Sequence, residues 1–206
     1  MQGLNLSKVQ FTNQSDVVNP GTEIFNPKFS AVATLKGDDQ IIGTANLTGD
    51  FAFSAFVESA ANRGNAIASG NLSGKATVAV DAIKNEGSIN TNQGRDIVRG
   101  TATADITATA ATMSQVTAIA NRTNASAIAN AFANLNIKAT ADGIDNSGGQ
   151  INTGQGSDTV DGDTIGSVAA VALARADASA IVDAICKAPM SEGLTAFAAA
   201  IAKSLA

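Results

Sequence analysis

Three aspartates recur in one local pattern. Asp39, Asp96 and Asp158 each sit in Gly-x-Asp-x-Ile/Val-x-Gly, and they are separated by 57 and then 62 residues. Acidic groups in a mildly acidic chain favour cation binding in general. The competing use is structural, with each carboxylate capping its own turn as an Asx motif. Neighbouring acids, Asp38/Asp39 and Asp158/Asp161, also offer a general acid and base. Both pairs fall inside repeated turns, where a structural reason already exists, so no catalytic set is expected.

The rest of the composition narrows the chemistry further. The chain has no His, no Trp, no Tyr and a single cysteine, Cys186. Without imidazole there is no Ser-His or Cys-His nucleophile and no His-ligated zinc or haem. Few large aromatics leave no base-stacking platform, and the lack of Trp and Tyr removes the usual sugar-stacking surface. A net charge of −5 repels nucleic acid phosphates and anionic lipid. No run of 18 apolar residues exists to span a bilayer as a helix. Residues 1–13 lack the basic start and apolar stretch of a signal peptide, so export would need a route that does not read one.

The aspartates lie within a longer repeat. Ile83 to Gly100 aligns with Ile144 to Gly162 with one glycine inserted, and a degraded copy spans Ile24 to Gly43. This divides the chain into an N-terminal segment, 1–23, and three units, 24–82, 83–143 and 144–206. A second turn recurs between the copies, as Asn62-Arg63-Gly64-Asn65 and Asn121-Arg122-Thr123-Asn124. The third unit has a looser midpoint, from Ile185 to Gly193.

The elements that must carry these turns have a period of two. From Ala125 every odd position is small or apolar as far as Gly143, while the even positions run Ser, Ile, Asn, Phe, Asn, Asn, Lys, Thr, Asp. Even positions do the same from Ala66 to Ala82, Ala102 to Ala120 and Gly166 to Ala184. Strict alternation belongs to an extended strand, although alanine by itself favours helix. The expected fold is all-β: long strands in a repetitive sheet or β-solenoid-like stack. An antiparallel meander of long hairpins is the other topology that fits. For Ser191 to Ala206 an ordinary alanine-rich helix competes with a strand.

If like turns stack, three pairings follow. Arg95 would face Asp38, Arg99 would face Asp161, and Asn26, Asn85 and Asn146 would form an amide ladder. Alanine and glycine on one face would let two sheets approach closely while contributing little stabilisation per residue. Partner chains would compensate, which argues for assembly.

Gly154-Gln155-Gly156-Ser157-Asp158-Thr159-Val160-Asp161 resembles the haemolysin-type calcium-binding (RTX) nonapeptide. Gly94 to Val98 and Gly37 to Ile41 keep its core. The resemblance implies a secreted bacterial protein, exported without a cleaved signal. It implies calcium held by Asp39, Asp96 and Asp158 with backbone oxygens near Gly94, Gly154 and Gly156. The family's repeats are tandem, whereas these are about 60 residues apart, so a cage would require distant turns to stack.

The functional expectation is a secreted, non-enzymatic structural protein that self-associates into an extracellular fibre, sheath or surface layer. A calcium-binding adhesion or ligand-binding module is the alternative. Thr101, Thr103, Thr107 and Thr109 also resemble the threonine rows of some ice-binding proteins, with Asp105 interrupting the row.

Overall fold

An alternating sequence buries one face only if its strands find partners on both edges, and a period-two chain returning every 60 residues can supply them from itself. A computed structural model describes residues 3–62, 64–121, 125–183 and 196–205. Arg63, the 122–124 turn, Cys186 and the loose turn at the third midpoint lie outside the described residues.

Apart from one 3₁₀ turn at Leu6–Lys8, every regular element among the described residues is a strand. Three short pieces open the chain: β1 (Leu4–Asn5), β2 (Val17–Val18) and β3 (Ile24–Asn26). The remainder alternates short and long: β4 (Ala31–Ala33), β5 (Gln40–Ala61), β6 (Asn65–Asn85), β7 (Ser88–Asn90), β8 (Ile97–Asn121), β9 (Ala125–Asp145), β10 (Gln150–Asn152), β11 (Thr159–Asp183) and β12 (Ala196–Leu205). They form three sheets, ordered β1-β3-β6-β9-β12, β10-β7-β4 and β11-β8-β5-β2. Every pairing with a defined register is parallel, so the solenoid arrangement holds and the meander does not.

The period-two reading carries through to burial. Even positions of β8 are buried from Val98 to Ala118, and odd positions of β9 from Ala125 to Leu135. The helical alternative for the tail is corrected. Ala196–Leu205 is a strand that pairs in parallel with β9, from Ala196 opposite Ala125 to Leu205 opposite Asn134. The free edge of β9 offers a full set of ladder hydrogen bonds, and these outweigh alanine's modest intrinsic helix preference.

By internal contacts the chain divides into two compact units that cut across the sequence repeats. Unit 1 comprises Met1–Gly49, Thr77–Ile106 and Lys138–Val168. Here the chain winds as coils: β3, β4 and the start of β5, then the end of β6, β7 and the start of β8, then the end of β9, β10 and the start of β11. The register places like on like, with Ile24 beside Ile83 and Val32 beside Ile89 beside Ile151. Leu6, Val18, Ile24, Val32, Ile41, Ile83, Ile89 and Val98 form its aliphatic core. Leu6 is fully buried, and partly buried Leu4, Val9 and Phe11 pack against the same cluster, so the N-terminal segment caps the first coil.

Unit 2 comprises Asp50–Ala76, Thr107–Ile137 and Ala169–Ala206. Its fully buried residues are mostly alanine, with partly buried Val57, Phe51, Phe53, Leu72 and Ile137 packed against them. One cluster holds Ala66, Ala68, Ala118, Ala125, Ala127 and Ala129 around Val116, and another holds Ala108, Ala110 and Ala133 with Leu135. A buried methyl contributes about 0.8 kcal/mol, against roughly 1.5–3 kcal/mol for a larger aliphatic side chain. Unit 2 therefore depends more on its backbone ladder than unit 1 does.

The stacked turns as candidate functional site

The repeated turns converge in unit 1, and the three aspartates stack in line. Asp39 Oδ1 accepts the Asp16 amide at 2.7 Å, Asp96 Oδ1 accepts the Asp39 amide at 2.8 Å, and Asp158 Oδ1 accepts the Asp96 amide at 3.0 Å. Each carboxylate thus ties its coil to the one before it. This corrects the Asx expectation for these residues. The Asx geometry occurs instead at Asn90, Asn152 and Asp145, whose side chains accept the amides of Asn92, Gly154 and Ser147.

Glycine makes the close stacking possible. Gly37, Gly94 and Gly156 have φ of 117°, 146° and 148°, values that L side chains rarely adopt. A Cβ on Gly94 would lie 1.7 Å from the Gly37 carbonyl oxygen, and one on Gly156 would lie 1.6 Å from that of Gly94. Gly154 is likewise pressed against Asn92, with an added Cβ falling 1.8 Å from its carbonyl oxygen.

Two further ladders run beside the aspartates. Asn26 Nδ2 donates to Asn85 Oδ1 at 2.7 Å, and Asn85 Nδ2 donates to Asn146 Oδ1 at 2.6 Å. This is the amide ladder expected from the repeat. The Thr34 hydroxyl donates to the Thr91 carbonyl at 3.0 Å, and the Thr91 hydroxyl to the Thr153 carbonyl at 2.9 Å. The threonines were not singled out in the sequence, although they share the 57- and 62-residue spacing that could have placed them. Asp16 had no such signal, because it lies off the period.

Of the two expected charged pairs, one forms as an ion pair and the other meets only through backbone. Arg99 Nε meets Asp161 Oδ2 at 3.1 Å. Arg95 reaches Asp38 through its backbone, with its amide 2.8 Å from Asp38 Oδ1. The acids considered for catalysis, Asp38, Asp39, Asp158 and Asp161, each spend an oxygen on the adjacent coil.

Burial raises the carboxyl pKa of Asp96 above its ordinary 3.8; the bond from the Asp39 amide opposes the rise, and the charges of Asp39 and Asp158 add to it. Asp39 and Asp96 are each 1% exposed, and the Oδ2 atom of each has no hydrogen-bond partner. These two oxygens are the donors a cation could use. Among the described residues, however, no three acidic side chains converge as a metal cage. Ca²⁺ takes 6–8 oxygens, so any ion here would have to draw most of them from carbonyls and water.

The threonine row lies on β8 with Thr107 and Thr109 exposed and Thr101 and Thr103 half-buried. Asp105 sits between them and binds the Ser167 hydroxyl at 2.5 Å.

The third coil differs from the first two. Ile41 and Val98 are each 1% exposed, while Val160 at the same turn position is 48% exposed. Asn26 and Asn85 are fully buried, and Asn146 is exposed. β10 and β11 end their sheets, so among the described residues nothing pairs with their outer edges.

No family model, curated protein or solved structure matches the chain. Among the described residues no helix is long and apolar enough to cross a membrane.

Proposed function

We propose that this chain is a structural protein of the cell exterior, without catalytic activity, whose copies associate by adding strands to an open coil. The observation that carries the reading is the contrast between Ile41 and Val98, both buried, and Val160, half exposed at the equivalent position. The third coil presents a surface that the first two cover with the next coil. Unpaired parallel edges with apolar side chains are templates for further strands. The RTX-like turns support export by a route without a cleaved signal. Sedimentation velocity over a wide concentration range tests the reading. Wild type should form growing oligomers, and Val160→Lys should shift the distribution toward monomer. A strictly monomeric wild type would contradict it.

A second reading, calcium binding, is favoured by the orphaned Oδ2 atoms of Asp39 and Asp96. Neutralising two buried carboxylates would raise the melting temperature when millimolar Ca²⁺ is added, and chelator would reverse the change. An unchanged melting curve sinks this reading and leaves self-association untouched.

A further inference from the structure

The two ends of unit 1 differ in charge as well as in closure. The third segment of unit 1, Lys138–Val168, contains Asp142, Asp145, Asp158, Asp161 and Asp163 against a single cation, Lys138. Only Asp161 has a cationic partner among the described residues, Arg99 of the preceding coil. The middle coil is mixed, with Lys84, Arg95 and Arg99 interspersed among its acids. The acidic, open coil is therefore specific to the C-terminal end, which we call the tail.

The opposite end, the head, carries Lys8, Lys28 and Lys36, all exposed, against Asp16, Glu23, Asp38 and Asp39 within residues 1–39, so it is far less acidic than the third coil. It also has strand edges to offer. β1 and β2 each end a sheet, and Val17 on β2 is 63% exposed. At the tail, β11 ends the same sheet that β2 begins, and its exposed apolar residues include Val160, Ile165 and Val168.

Resting on the proposal of self-association, we infer that copies join head to tail, with the third coil of one copy covered by the β1 and β2 end of the next. Three observations favour a second copy in this orientation. The contact would continue an interface the molecule already makes between its own coils. It would keep the parallel sense of every sheet, pairing a β11 edge with a β2 edge. It would also set five aspartates against a lysine-bearing end, whereas tail-to-tail contact would oppose two sets of five aspartates. Like charges facing each other across an edge are a strong barrier to pairing. A head-to-tail contact is heterologous, so if its rotation does not close a ring, repetition yields a filament with polarity.

Zero-length carbodiimide cross-linking tests this, because it joins lysine amines to carboxylates in contact. An equimolar mixture of ¹⁴N- and ¹⁵N-labelled wild-type protein is cross-linked at low salt and read by mass spectrometry. Mixed-isotope cross-links should connect Lys8, Lys28 or Lys36 to Asp142, Asp145, Asp158, Asp161 or Asp163. Their yield should fall several-fold as salt rises, because the screening length shrinks to ~3 Å at 1 M. Oligomers that lack these head-to-tail cross-links would overturn the polarity and leave self-association standing. Absence of oligomers would overturn both.

Discussion

Unit 1 and unit 2 use parallel strands of the same repeats, yet different forces hold each together. In unit 1, large aliphatic side chains stack in register, and Asn, Asp and Thr ladders clamp coil to coil. In unit 2, alanine methyls fill most of the fully buried space, with a few partly buried larger side chains at its margins, and a polar bridge crosses it. The Ser114 hydroxyl accepts the Gly70 amide at 2.8 Å and donates to the Asn130 carbonyl. Gly70 makes room for that hydroxyl, since a Cβ there would fall 2.8 Å from it. Specific side-chain recognition fixes the register in unit 1. Unit 2 relies on regular small residues, which fit at any shift of two positions.

Breaking the ladder of unit 1 should have the largest effect. Gly94→Ala drives a methyl into the Gly37 carbonyl at a positive φ, and a loss of ~4 kcal/mol or more is expected in urea unfolding. Gly166→Ala, where an added Cβ meets nothing within 4 Å, is the control and should change little.

Core truncation compares the two units directly. Ile89→Ala in unit 1 should cost about 3 kcal/mol. Ala127→Gly in unit 2 should cost about 1 kcal/mol. Equal losses would erase the distinction between an aliphatic and an alanine core. Ser114→Ala should cost ~1–3 kcal/mol, because it leaves the buried Gly70 amide unpaired; near-zero loss would mean water replaces the bridge.

Acidity should act through unit 1, which holds the three carboxyls with shifted pKa among the described residues. Burial raises Asp81 and Asp96 above 3.8, while hydrogen bonds from Ser147 lower Asp145. The folded state binds protons at Asp81 and Asp96 more tightly than the unfolded chain does. Their contribution is therefore greatest below 3.8 and declines as pH rises through their elevated values. The contribution of Asp145 is opposite: it is present above 3.8 and is lost as pH falls through its depressed value. Unfolding at a series of pH values should show Asp96→Asn flattening the decline above 3.8; an unaltered slope would mean Asp96 does not titrate there.

The smallest effect concerns backbone strain. Leu35, Asn92 and Gly154 occupy equivalent left-handed positions, with φ of 71°, 54° and 72°. Leucine is the costly member of this series, so Leu35→Asn should stabilise by about 1 kcal/mol.

Much of unit 1 was legible because its repeats differ in sequence while keeping chemistry at fixed intervals. Asn26, Asn85 and Asn146 could be matched, and so could the Arg99–Asp161 pair. The direction of the aspartate bonds could not, because a turn carboxylate reaches its own backbone or the next coil's with equal ease on paper. Strand identity in unit 2 followed from alternation alone. Parallel pairing did not, since alanine faces distinguish neither direction nor register. The open third coil was also hidden, because Val160 reads in sequence like Val98 and differs only in what lies beyond it.

On the proposed reading, the third coil is a site of continued strand addition. Electron microscopy of the purified chain at high concentration tests it most directly. Unbranched filaments with a strand repeat of ~4.8 Å along the axis are expected. Uniform single particles at every concentration would contradict it.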